Sequence, residues 1–244
     1  RELVVERSAP GKKDEQSGIS VVMDKQDMHT TANFGLVEDI MSSIKTLPGV
    51  GYAGGFNAEP SIRGGYPHEL GTVMDGVYLI NPWHWGGGYS IFNPNMVESA
   101  KMSHGVFSAR YGRALSGLLE VTTVQPAAGE VRVPGGISTT SLDFFAQAPI
   151  GKKTGIFLGG KITYLESMMF INDVVLDAEP KLAETTPTMP YIRDFYAKIY
   201  HEHSPSLNMG LNAFIGSDGI GVKQEENKDG ISTDVKFNWD YIIG

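Results

Sequence analysis

From about residue 137 onward apolar and polar side chains alternate with a period of two, which restricts the second half of the chain to β-strands with chemically different faces. Over 137–150, Leu142, Phe144, Ala146 and Ala148 share one face, and Ser141, Asp143, Phe145 and Gln147 the other. The division recurs with Ile156, Leu158, Gly160, Ile162 and Tyr164 against Phe157, Gly159, Lys161 and Thr163. It continues with Phe195, Ala197 and Ile199 against Asp194, Tyr196, Lys198 and Tyr200, and with Leu207, Met209, Leu211, Ala213 and Ile215 against Asn208, Gly210 and Asn212. The last segment sets Val235, Phe237, Trp239 and Tyr241 against Asp234, Lys236, Asn238 and Asp240.

A soluble sandwich alternates in the same way, so periodicity leaves both it and a membrane barrel open. The connections favour the barrel: Pro149 to Thr154 and His203 to Pro205 are short, whereas Ser167 to Tyr191 and Ser217 to Gly230 are long and polar. That rhythm calls for a further strand before Ile137, and Val131 to Val133, turning at Pro134-Gly135-Gly136, supplies it. Six strands result, fewer than the ~8 of the smallest membrane barrels, so the chain is expected to be part of a longer one.

The net charge is −8 and the twenty Lys and Arg form no basic run, which excludes a nucleic-acid surface. No cysteine is present, so disulfides and thiolate metal sites are excluded. No stretch reaches the ~18 uninterrupted apolar residues of a membrane helix. The sequence opens at Arg1 without an apolar leader, so either a signal peptide has been removed or the numbering starts inside a longer protein.

The first half has a different rhythm. Leu36, Val37, Ile40, Met41, Ile44 and Leu47 recur at helical spacing, with Asn33 as a candidate cap and Pro48-Gly49 as the stop. Short apolar runs follow, such as Val77-Tyr78-Leu79 and Leu118-Leu119-Glu120-Val121, separated by glycine-rich loops up to about Val124. The first half is therefore predicted to be mixed α and β.

Several motifs lie in order along this half: Ile44-Lys45-Thr46-Leu47-Pro48-Gly49-Val50, Ser61-Ile62-Arg63-Gly64, Val73-Met74-Asp75-Gly76-Val77-Tyr78, and Met96-Val97-Glu98-Ser99-Ala100-Lys101. The series closes with Ala109-Arg110-Tyr111-Gly112-Arg113-Ala114-Leu115-Ser116-Gly117 and the strand after it. Each is weak alone, but their order and spacing resemble the plug of TonB-dependent outer-membrane receptors. The stretches Asn81-Pro82-Trp83-His84 and Phe92-Asn93-Pro94 are similar to a broad subgroup that often handles substrates other than iron chelates. One departure is His104-Gly105-Val106, where the family usually has Arg-Gly-Pro.

The resemblance implies an α+β plug domain over 1–125, followed over 126–244 by antiparallel transmembrane β-barrel strands, the opening part of a barrel of ~22 strands. It implies a receptor in the outer membrane of a Gram-negative-type bacterium, with its plug inside the barrel and its N-terminus periplasmic. Such a receptor binds a small molecule, peptide or saccharide outside the cell and imports it with energy transmitted by TonB, without cofactor or catalysis. Glu2-Leu3-Val4-Val5 is read either as the TonB contact, adding a strand to a sheet edge on TonB, or as the first plug strand.

Within that frame Arg63, Glu98, Arg110 and Arg113 are candidates for packing the plug against the barrel interior, where an enclosed charge needs a partner. Asp75-Gly76 is read as a turn. Trp83, His84, Trp85 and Tyr89 flank three consecutive glycines, setting flat polar-edged rings on a mobile loop, and are candidates for apical ligand binding. Gly86-Gly87-Gly88 is no phosphate loop, because no Lys with Ser or Thr follows. His201 and His203 lack a third metal ligand and read as turn residues, and no nucleophile, base and orienting acid fall into a catalytic frame. Two other classes remain in view: an outer-membrane structural or secretion subunit that imports nothing, and a secreted β-sandwich binding module.

Overall fold

A computed structural model describes residues 12–13, 20–31, 39–52, 59–125, 131–133, 135–137, 141–164, 185–204, 207–224 and 233–243. The chain divides into two compact units, Arg1–Val124 and Gln125–Gly244.

The first unit contains, in chain order, β1 (Lys12–Lys13), β2 (Ser20–Asp24), α1 (Lys25–Thr31), α2 (Ile40–Ile44), β3 (Val50–Tyr52), β4 (Pro60–Ile62), β5 (Leu70–Met74) and β6 (Val77–Leu79). It continues with β7 (Trp83–His84), β8 (Tyr89–Ser90), β9 (Val97–Ser103) and β10 (Gly117–Thr123). One mixed sheet of six strands runs β1-β2-β9-β10-β5-β6, in which β10 is parallel to β5 and antiparallel to β9. The pairs β3-β4 and β7-β8 form separate two-stranded sheets.

The helices begin where side chains satisfy their free amides. Asp24 and Asp27 cap α1 reciprocally, each carboxylate accepting from the other residue's backbone N–H at 3.0 and 3.3 Å. Asp39 caps α2 by accepting from the Met41 N–H at 2.8 Å. The predicted helix is thus observed as the shorter Ile40–Ile44 with Asp39 at its start; Asn33, Leu36 and Val37 lie outside the described residues. α1 packs on β2 and β9, and α2 on α1 and β8, while Met23, Met28, Ile40, Met41, Ile44, Ala100 and Met102 are buried.

A second, smaller core lies under the loop 104–116, where Val73, Ala114 and Leu118 pack with Tyr78, Phe107 and Tyr111. Gly71 makes that packing possible, since a Cβ there would fall 2.6 Å from the Tyr78 hydroxyl and 2.7 Å from the Ala114 Cβ. Gly71→Ala is therefore expected to cost about 1–3 kcal/mol through overpacking. Limited proteolysis of the full-length protein along a urea series checks this, with faster cleavage within the 104–116 loop expected.

The second unit is a single open antiparallel sheet of six strands: β11 (Gly135–Ile137), β12 (Ser141–Ile150), β13 (Thr154–Thr163), β14 (Thr185–Ser204), β15 (Leu207–Gln224) and β16 (Thr233–Ile243), paired in that order. Residues buried and exposed on this sheet are the reverse of those in a water-soluble sheet. Asp143, Gln147, Lys161, Thr163, Asp194 and Lys198 are buried, Lys161 and Asp194 at 6% exposure, whereas Leu158, Ile199 and Leu211 on the opposite face are 41%, 48% and 67% exposed. Aromatic pairs also line the buried face, Phe145 with Phe157 at 4.6 Å and Tyr196 with Phe214 at 4.5 Å between ring centres.

Three sequence expectations are corrected here. The early strand does not turn at Pro134-Gly135-Gly136: Gly135 and Gly136 are paired residues of β11, in the same register as the bridge between Arg132 and Gln147. β12 accordingly starts at Ser141, not at Ile137. The long connections are shorter than predicted, because Thr185–Tyr191 and Ser217–Gln224 are strand, paired to each other from Thr185 opposite Gln224 inward. The register shifts between Thr188 and Tyr191, beside Pro190, whose missing N–H cannot join the ladder. His201 and His203 sit near the end of β14, with the His201 Nδ1 2.8 Å from the Thr154 hydroxyl.

Candidate functional site

The aromatic segment folds as a hairpin in which His84 pairs with Tyr89 and Trp83 with Ser90, leaving Trp85-Gly86-Gly87-Gly88 as its tip. Trp85 and Gly86 both adopt positive φ, 51° and 62°, and the Gly87 N–H closes the turn on the His84 carbonyl at 3.1 Å. The same residue-glycine turn occurs at Arg63-Gly64 and at Asp75-Gly76, where the β5-β6 hairpin reverses. A bulky residue at positive φ is costly, and backbone strain of this kind collects at ligand-contacting positions.

The four aromatic-loop candidates divide into two pairs. Trp83 and His84 are buried, at 8% and 1% exposure, and anchor the hairpin. Trp85 and Tyr89 are half-buried and meet edge to face with ring centres 5.2 Å apart. Gly87 lies against the side chain of Glu59, whose Cδ would be 3.0 Å from a Cβ at that position. Burial raises the Glu59 pKa, and the charge of His68, stacked on Tyr66, pulls it back down. The Tyr89 hydroxyl is raised by burial and by the Asp39 carboxylate. The tip thus gathers two indole or phenol rings, a carboxyl group and an imidazole.

Asp39 and Ser90 tie this hairpin down and were not anticipated from the sequence. Asp39 is 4% exposed and accepts from the Ser90 N–H at 2.8 Å and the Ser90 hydroxyl at 2.6 Å, besides capping α2. An aspartate directly before an apolar helical run is a legible cap signal. Its link to a serine fifty-one residues away is not.

The charged candidates lie elsewhere. Arg63, Glu98, Arg110 and Arg113 are all exposed. The Arg63 backbone N–H donates to the Gly49 carbonyl at 2.8 Å, joining its turn to the end of the α2 segment. Arg110 lies over the Tyr111 ring at 5.1 Å and Arg113 over the Tyr78 ring at 5.8 Å. The Tyr111 hydroxyl donates to Glu120 at 2.7 Å, and that bond, with burial, raises the phenol's pKa. Arg110, Tyr111, Lys101 and Glu120 border a cleft of about 540 Å³ on this side of the sheet. Asp75 accepts from the Thr123 N–H at 2.9 Å and the Thr123 hydroxyl, so its turn is stitched to β10. Glu2, Leu3, Val4 and Val5 lie outside the described residues. Among the described residues, no helix is long and apolar enough to cross a membrane.

A mixed sheet flanked by two short helices, followed by an inside-out antiparallel sheet, defines a plug-and-barrel protein with the barrel open. Residues 12–118 match the family model of the TonB-dependent Receptor Plug Domain, and this part of the chain is such a plug. No curated protein matches the sequence. Among solved structures, the siderophore receptor PirA from Pseudomonas aeruginosa is similar at 17% identity and a TM-score of 0.56, over 93% of this chain and 43% of that one. A mutant ferric enterobactin receptor, PfeA, from Pseudomonas aeruginosa matches at 18% identity and 0.56, over 95% and 38%. The copper transporter OprC matches at 15% identity and 0.57, over 96% and 39%. The chain spans about two fifths of the length of these structures.

Proposed function

We propose that the chain is the plug and opening barrel strands of a receptor in the outer membrane of a Gram-negative-type bacterium. This receptor binds an extracellular ligand and imports it to the periplasm with energy transmitted by TonB, performing no catalysis itself. The observation that carries the reading is the reversed sheet joined to a plug: a wall with apolar side chains outward and Asp, Lys and Gln inward suits lipid outside and a polar interior within. A secreted sandwich requires the opposite arrangement. The full-length protein is expected in the outer-membrane fraction and to need detergent once extracted; recovery as a soluble monomer without detergent overturns the reading.

On this reading the plug presents Trp85 and Tyr89 to the ligand, with Trp83 and His84 holding the hairpin from below. Their ring faces suit a saccharide or a planar chelate, and the solved relatives include receptors named for ferric enterobactin and copper. Arg63, Glu98, Arg110 and Arg113 contact the barrel interior, and Glu2-Leu3-Val4-Val5 meets TonB by strand addition. Trp85→Ala is expected to weaken binding about tenfold, the equivalent of ~1.4 kcal/mol of lost aromatic contact. Calorimetric titration of the full receptor with ferric enterobactin, Cu²⁺ and a panel of oligosaccharides checks this; unchanged affinity for whichever probe binds removes Trp85 from the site. Deleting residues 1–8 is expected to abolish binding of the TonB periplasmic domain, and unchanged affinity rules that segment out.

A further inference from the structure

We infer that Asp39 is the positioning residue of the aromatic hairpin, its buried carboxylate fastening β8 to the start of α2 and so fixing where the Trp85–Tyr89 pair stands on the plug. The inference goes beyond the proposed transport role and needs no ligand to be tested.

β7 and β8 are two residues each and pair along the backbone only with one another, so the ladder of the main sheet does not extend into the hairpin. A two-stranded ribbon of that length does not hold itself. Asp39 supplies a hold, with each carboxylate oxygen engaged. One oxygen accepts from the Met41 N–H at 2.8 Å and the Ser90 hydroxyl at 2.6 Å, and the other from the Ser90 N–H at 2.8 Å. Ser90 follows Tyr89 directly, so fixing its backbone fixes the root of the aromatic pair. α2 is itself tied down, since the Ser43 hydroxyl donates to the Met28 carbonyl of α1 at 3.0 Å.

Capping alone does not require this residue type, because Ser, Thr or Asn caps a helix comparably. The double attachment does. Both oxygens face backbone N–H donors, and an asparagine in either orientation would turn its NH₂ group toward one of them. Only a carboxylate satisfies α2 and β8 together, and at 4% exposure an unsatisfied donor would find no water to replace it.

The test is hydrogen–deuterium exchange of the full-length receptor in detergent micelles without ligand. Asp39→Ser keeps a cap for α2 but is too short to serve both elements. It is expected to speed exchange about tenfold at residues 83–91 while 97–103 and 117–123 exchange at native rates. Ser90→Ala, which removes the hydroxyl's bonds to Asp39 and to the Phe92 N–H but keeps the Ser90 N–H bond to Asp39 and leaves α2 untouched, is expected to speed the same residues by a smaller factor. The double variant is expected to exchange at most slightly faster than Asp39→Ser alone, because the two changes share the Asp39–Ser90 attachment and differ only in the weak 3.3 Å bond from the Phe92 N–H. Native exchange at 83–91 in Asp39→Ser overturns the inference, as does equal acceleration in the hairpin and in β9-β10. If Asp39→Ser does not accumulate, native exchange in Ser90→Ala overturns it.

Discussion

Replacing Lys161 by methionine is expected to destabilise the barrel sheet by about 3–5 kcal/mol, the usual cost of removing one partner from a buried set of charges. Lys161 lies on β13 directly opposite Asp143 on β12 and Asp194 on β14. All three are buried, Asp143 at 8% exposure and the others at 6%. Cross-strand neighbours stand about 4.5–5.5 Å apart at Cβ, so the cation lies between two carboxylates that would otherwise repel each other across a buried face. Lys161→Met removes the cation that stands between the two anions. The triple variant Lys161→Met, Asp143→Asn, Asp194→Asn removes the whole row and should recover most of the loss, since replacing a complete buried set is often close to neutral. Urea unfolding of the full-length protein in lipid vesicles measures both, and a single-variant loss below about 0.5 kcal/mol would show the row to be solvated.

The opposite face yields the second large effect. Leu158 is 41% exposed, on the face it shares with Ile156 and Ile162, and Ala146 and Ala197 flank it across the strands. On a water-facing sheet, Leu158→Arg would change stability by no more than about 0.5 kcal/mol. Facing the middle of a bilayer, the same change costs about 2–4 kcal/mol. The two environments differ by enough to be told apart in one vesicle unfolding experiment. Leu115→Arg, at a plug-loop position that is 74% exposed, serves as the control and is expected to be neutral.

Alternation made the sheet legible because a period of two survives wherever one face is uniformly apolar. It failed where that contrast stops. Beyond Gly216 the strand β15 runs through Ser217, Asp218 and Gly219, which carry no apolar rhythm, and pairing with β14 on one side and β16 on the other keeps them extended. Gly135 and Gly136 read as a turn from composition, yet tertiary pairing with β12 holds them as strand. Helix α1 was invisible for a similar reason: Lys25-Gln26-Asp27-Met28-His29-Thr30-Thr31 offers one buried apolar residue, and its cap uses Asp27 where Glu or Gln is the familiar signal. The aromatic tip was found from its residue types, but the carboxylate beneath it was not, because nothing local marks a bond spanning from Asp39 to Ser90.

On the proposed outer-membrane reading, the length of the β14-β15 hairpin carries the sheet beyond the lipid. With twenty and eighteen residues, these strands greatly exceed the ~9–11 that cross a bilayer. At ~3.3 Å per residue β14 extends about 65 Å, and a tilt of about 40° still leaves some 50 Å of height against an apolar band of ~25 Å. Roughly half of the hairpin therefore stands outside the lipid as hydrogen-bonded sheet. On the proposed reading, a binder directed at this rim would meet hydrogen-bonded sheet, and its recognition would depend on conformation more than on linear sequence.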